Sequence, residues 1–98
     1  MPKILEVAEI KNYVMQVAPL FDVKKVILFG SYANGHQTNR SDIDLLVEFG
    51  DTATYLTVFD FQYNMEGKFG KPVDIVPAPI PADSILIIGK EVLLYEHA

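Results

Sequence analysis

The chain has 98 residues, half of them hydrophobic and 21% charged, with 13 acids against 8 bases and a formal charge of -5. This is room for one domain, 1–98, with a core of its own, and the apolar content excludes disorder. Absent cysteines exclude a disulfide framework and thiolate zinc sites. An acidic chain without a cluster of Lys and Arg is not expected to bind nucleic acid directly.

The first segment is helical by period. Val7, Ile10, Val14 and Val17 share one face, and Pro19 ends the pattern. Lys3, Glu6 and Glu9 interrupt any leader-like apolar run, and the run 85–88 is far too short to cross a membrane. The default expectation is therefore a cytoplasmic protein with no membrane association. Residues 26–29, Val-Ile-Leu-Phe, read as a strand buried on both faces. Gly30 and Ser31 follow, and residues 32–40 read as a short helical turn running into a loop.

Residues 41–49 alternate. Ile43, Leu45, Val47 and Phe49 form one face, with Asp42, Asp44 and Glu48 on the other. Thr52 is a plausible N-cap for a helix to about residue 67, with Leu56, Phe59 and Tyr63 as its inner stripe and Gly67 and Gly70 as breakers. Residues 72–76 form another short strand, with Val73 and Ile75 on one side and Asp74 on the other. Pro77, Pro79 and Pro81 make a stiff connector. A short helix then starts at Asp83 or Ser84 and ends near Gly89, and residues 92–95 suit a last strand or a continued helix. The order predicts a small α/β domain, a mixed sheet flanked by helices.

Three features carry chemistry. Asp42 and Asp44 are two apart on a strand, so both side chains leave one face with their Cα atoms about 6.6 Å apart. Two such carboxylates can converge on a hard cation, and magnesium suits them because it takes oxygen ligands and completes its shell with water and substrate phosphates. An isolated D-x-D is more often a solvated strand edge. Asp74, alone among branched apolar residues, either reaches solvent or meets a cation. A shared metal accounts for it if its strand lies beside that of Asp42 and Asp44. Gly30-Ser31, at the end of a buried strand, has the makings of a phosphate cradle, although Gly-Ser is also ordinary turn chemistry.

Gly30-Ser31, ten residues, then Asp42-Ile43-Asp44 resembles the signature of the DNA polymerase beta-type nucleotidyltransferase superfamily. The string FGSYANGHQTNRSDIDLLVEF is similar to its shortest branch, the minimal nucleotidyltransferases, and KPVDIVP resembles the strand carrying their third carboxylate. The resemblance covers residues 22–96. It implies the palm fold of that superfamily, with ATP phosphates at Gly30 and Ser31. Asp42, Asp44 and Asp74 would hold two Mg2+ ions, with Mn2+ as a substitute, and Asp74 would help deprotonate an acceptor hydroxyl. It further implies a HEPN-type protein partner, modified with AMP by an antitoxin. Relatives often carry arginine shortly after the Gly-Ser, where this chain has Tyr32 and Asn34; Arg40 is the cation that could partly substitute.

Other residues offer less. His36 reads as an exposed loop histidine, and His97 sits at a fraying end. Phe59, Phe61, Tyr63 and Phe69 are spaced for packing more than for base stacking. Glu48 either orients a metal-bound water or is simply solvated. Three functions compete. An enzyme acting on a protein partner accounts for the three carboxylates, whereas an antitoxin working by contact alone has no need of them. A nucleic-acid-modifying transferase lacks both a basic stripe and a domain to hold its second substrate.

Overall fold

The computed structural model describes residues 4–78 and 90–97. Helix α1 (Val7–Val17) leads through a 3-10 turn (Ala18–Leu20) into β1 (Val23–Phe29). Then follow α2 (Ser31–Asn34), β2 (Ile43–Phe49), α3 (Tyr55–Phe69), β3 (Val73–Ala78) and β4 (Val92–Glu96). The expected connector residues Pro79 and Pro81 and the helix expected from Asp83 or Ser84 lie outside the described residues.

The strands form one sheet in the order β3-β2-β1-β4. β1 runs antiparallel to both β2 and β4, while β2 and β3 are parallel and joined by the α3 crossover. The mixed sheet is thus as expected, and residues 92–95 belong to a strand. The α1 helix begins at a reciprocal cap between Glu6 and Glu9, and it buries Ile10, Val14 and Val17, three of the four residues that set its period. These pack with Val26 and Leu28 of β1, Ile43, Leu45 and Val47 of β2, and Phe61, Met65 and Phe69 of α3 in a single core. No described helix is long and apolar enough to cross a membrane.

Three expectations for the third helix are corrected. Its N-cap is Thr54, whose Oγ1 accepts from the Thr57 amide. Thr52 instead donates from both its amide and its hydroxyl to the Asp22 carboxylate, tying the turn after β2 to the chain entering β1. The inner stripe is Phe61, Met65 and Phe69, whereas Leu56, Phe59 and Tyr63 are 72%, 60% and 78% exposed. The helix is apolar on two stripes, so period alone does not choose between them. Aromatic geometry does: Phe61 sits edge-on to both Phe21 and Phe49, at 5.7 and 6.1 Å between ring centroids, and Tyr13 meets Phe69 at 5.9 Å. Gly67 lies inside the helix, which ends at Gly70 in the left-handed region (φ 66°).

The two stripes therefore differ sharply in worth. Phe61→Ala should cost about 3–5 kcal/mol by opening a cavity and removing two edge-on ring contacts. Phe59→Ala should change stability by no more than about 0.5 kcal/mol. Urea unfolding of both variants measures this, and equal losses would contradict the packing described.

Candidate active site

The parallel register of β2 and β3 places Asp44 directly beside Asp74, while on its other side Asp44 pairs with Phe29 at the end of β1. Neighbouring strands lie about 4.8 Å apart, so two carboxylates leaving the same face at this register are forced together. Asp44 is half-buried, and its carboxyl is pushed above the ordinary value. Burial is the largest cause, followed by the charges of Asp74 and Asp42, and the side chain is within hydrogen-bonding reach of Asp74. Asp42 is exposed and lies one residue ahead of β2 rather than within it. The turn before it is closed by the Thr38 amide donating to Ser41 Oγ (2.8 Å) and the Arg40 amide donating to Thr38 Oγ1 (3.2 Å).

Gly30 completes this corner. Its φ is 75°, a region that favours glycine, and a Cβ there would collide with Asp44 Oδ2 and lie 3.1 Å from Asp44 Cγ. The bare backbone of the Gly-Ser turn is thus laid against the central carboxylate. The Gly30 carbonyl accepts from the Ala33 and Asn34 amides and from Asn34 Nδ2 at 2.8 Å. Asn34 therefore braces the turn, and the His36 amide closes its other side on the Ser31 carbonyl. Tyr32 is fully buried in the core.

Sequence reasoning missed the residues that hold the third carboxylate in place. β3 is an edge strand, and the outward polar groups of Val73 are taken up by α3: Gln62 Nε2 donates to the Val73 carbonyl (2.8 Å), and the Val73 amide donates to Glu66 Oε2 (2.9 Å). Lys71 is buried, donating from Nζ to Tyr32 Oη and to the Asn39 carbonyl. The signals were present as Gln62 and Glu66 one helical turn apart, and as a lysine directly ahead of Pro-Val-Asp. Glu48 lies about 13 Å along β2 from Asp44, opposite Lys25, and is not part of the corner. His36 and Arg40 are exposed, and His97 contributes a backbone bond to the Lys24 carbonyl.

Among the described residues no three His, Cys, Asp or Glu side chains are placed to hold a metal ion by themselves. The donor set nonetheless suits magnesium, which is held by one or two carboxylates and completed by water and phosphate oxygens rather than by an all-protein cage. Repulsion on Asp44 from its two acidic neighbours is what a bound cation would relieve.

Because the carboxyl of Asp44 is held above its ordinary 3.8, the folded protein takes up this proton more readily than the unfolded chain. The group favours folding below 3.8 and opposes it increasingly as pH rises through the higher folded value. Asp44→Asn should therefore raise the Tm of the metal-free protein at neutral pH, with the gain vanishing below 3.8. Thermal melts at both pH values test this; an unchanged or lower Tm at neutral pH would contradict it.

Residues 8–97 match the family described as polymerase beta, nucleotidyltransferase. A Methanocaldococcus jannaschii relative, by name a candidate protein adenylyltransferase, is 36% identical over 93 residues, 91% of this chain and 100% of its own length. Among solved structures, a toxin-antitoxin with AMP-PNP aligns with TM-score 0.71 at 21% identity, over 89% of this chain and 73% of the other. A chain from the complex of a tri-AMPylated Shewanella oneidensis HEPN toxin with MNT antitoxin aligns with TM-score 0.60 at 18% identity, over 90% of this chain and 71% of the other. At these identities the two structures speak to the fold, which is the same mixed sheet with its helices. With almost its whole length matched, and with a relative at 36% identity over all of that relative's length, the chain belongs to the polymerase beta nucleotidyltransferase family.

Proposed function

We propose that the chain is a metal-dependent nucleotidyltransferase that moves AMP from ATP to a hydroxyl of a HEPN-type partner protein, for which it serves as antitoxin. The observation that carries this reading is the corner where Asp44 and Asp74 stand side by side with the backbone of Gly30 against them. A protein that worked by contact alone would have no use for a charge arrangement that costs stability. The relative named as an adenylyltransferase, the AMP-PNP complex and the AMPylated HEPN toxin support the choice of nucleotide and partner.

In this reading Asp42, Asp44 and Asp74 hold magnesium, or manganese in its place. A bound divalent ion supplies charge neutralisation at the reacting and leaving phosphates. Gly30 and Ser31 receive the triphosphate, because glycine lets the backbone approach and the serine hydroxyl donates. The acceptor oxygen forms a bond to the α-phosphorus as the bond from that phosphorus to the bridging oxygen breaks and pyrophosphate leaves. Asp74 takes the hydroxyl proton. AMP added to the partner introduces bulk and negative charge, which would repel an RNA substrate.

The competing reading is inhibition by contact, which the exposed Leu56, Phe59 and Tyr63 on α3 favour as a docking surface. One experiment separates the two. The chain, its genomic-neighbour HEPN protein, ATP and magnesium are incubated and the partner's intact mass is followed. We expect an increase of one or more AMP units, reduced at least about 100-fold in rate by Asp44→Asn or Asp74→Asn. If these variants silence the partner fully with no mass change, contact is the function.

A further inference from the structure

We propose that Lys71 is the positioning residue that holds the loop carrying Asp42 beside the Asp44–Asp74 pair, whose own spacing the strand register sets. It is 7% exposed, and lysine is almost never buried without partners. Its Nζ donates to Tyr32 Oη at 3.0 Å and to the Asn39 carbonyl at 3.2 Å, and it lies 5.4 Å from the centre of the Tyr32 ring.

These partners come from the separate segments that meet at the site. Tyr32 follows Ser31 directly, Asn39 lies three residues before Asp42, and Lys71 lies three residues before Asp74. One ammonium thus joins the Gly-Ser turn, the loop feeding the exposed carboxylate and the chain entering β3. A cation anchored in this way to a phenol and a carbonyl acts through the segments it ties and not as a phosphate ligand. The loop most in need of the tie is the one carrying Asp42, because among the described residues its remaining bonds from residue 38 to 41 close within the turn itself. Tyr32, at a position where the resemblance suggested a cation, instead presents its hydroxyl to one.

The role toward metal rests on the function proposed above, but the positioning can be tested without turnover. Lys71→Met keeps the buried stem and removes the ammonium. Lys71→Arg retains a cation with several donors. Hydrogen exchange of the backbone amides of residues 35–42 is measured in protein free of metal and nucleotide, and Mn2+ binding is measured by electron paramagnetic resonance. In Lys71→Met we expect faster exchange confined to residues 35–42, with α1 and β1 still protected, and Mn2+ affinity lowered about tenfold, as when an outer-shell partner is lost. Lys71→Arg should restore most of both. If Lys71→Met does not fold, Tyr32→Phe removes one of its acceptors and should show the same pattern in weaker form. Unchanged exchange in 35–42, or protection lost equally throughout a folded variant, would overturn the proposal. Failure of the unaltered protein to transfer AMP would overturn the function proposed above instead, leaving the exchange result to decide the role of Lys71.

Discussion

Everything at the candidate site follows from one unfavourable contact: two carboxylates, Asp44 and Asp74, stand abreast on adjacent parallel strands. Parallel pairing fixes which residues are neighbours, and alternation fixes the face, so neither side chain can retreat without a shift of register. Such a shift would carry Ile43, Leu45, Val47 and Val73 out of the core, all of which are buried. Hydrophobic burial across the sheet therefore maintains a like-charge pair that would otherwise separate. The half-buried Asp44 responds by holding its proton more tightly than usual.

The surroundings are arranged to keep this pair in register and approachable. Gly30 leaves the space that any side chain would fill against Asp44. Gln62 and Glu66 satisfy the outward backbone of Val73, so the edge strand that bears Asp74 is anchored to α3 where it begins. Asn34 locks the turn from the other side. The core pillar Phe61 sits on the same helix as Gln62 and Glu66, so packing and site geometry share one element. Phosphoryl transfer requires little more of a protein than positioned charge and a place for phosphate, which is why so small a chain can host it.

The two strands that carry Asp44 and Asp74 were legible in the residues because their alternation has a period of two. Asp42-Ile43-Asp44 in an alternating run, and Asp74 alone between Val73 and Ile75, state their own geometry once the strands are adjacent. The α1 face was equally plain, with its buried residues at helical spacing. The α3 face was not, because Leu56, Phe59 and Tyr63 compete with Phe61, Met65 and Phe69, and only the positions of Phe21 and Phe49 decide between them. Thr52 was the cap the sequence pointed to, but Asp22, distant in sequence, claims it, and Thr54 caps the helix. Lys71 was invisible for a related reason: a lysine in a polar stretch reads as surface until Tyr32 and Asn39 are seen to enclose it.

The proposed function requires Asp42, Asp44, Asp74 and the Gly30-Ser31 turn to form one site for metal and nucleotide. Crystals grown with Mn2+ and a non-hydrolysable ATP analogue test it most directly, through anomalous scattering from the metal. Manganese is expected at the carboxylates of Asp42, Asp44 and Asp74, with the triphosphate at Gly30 and Ser31. Manganese bound away from these carboxylates, or a nucleotide ordered elsewhere on the chain, would contradict it.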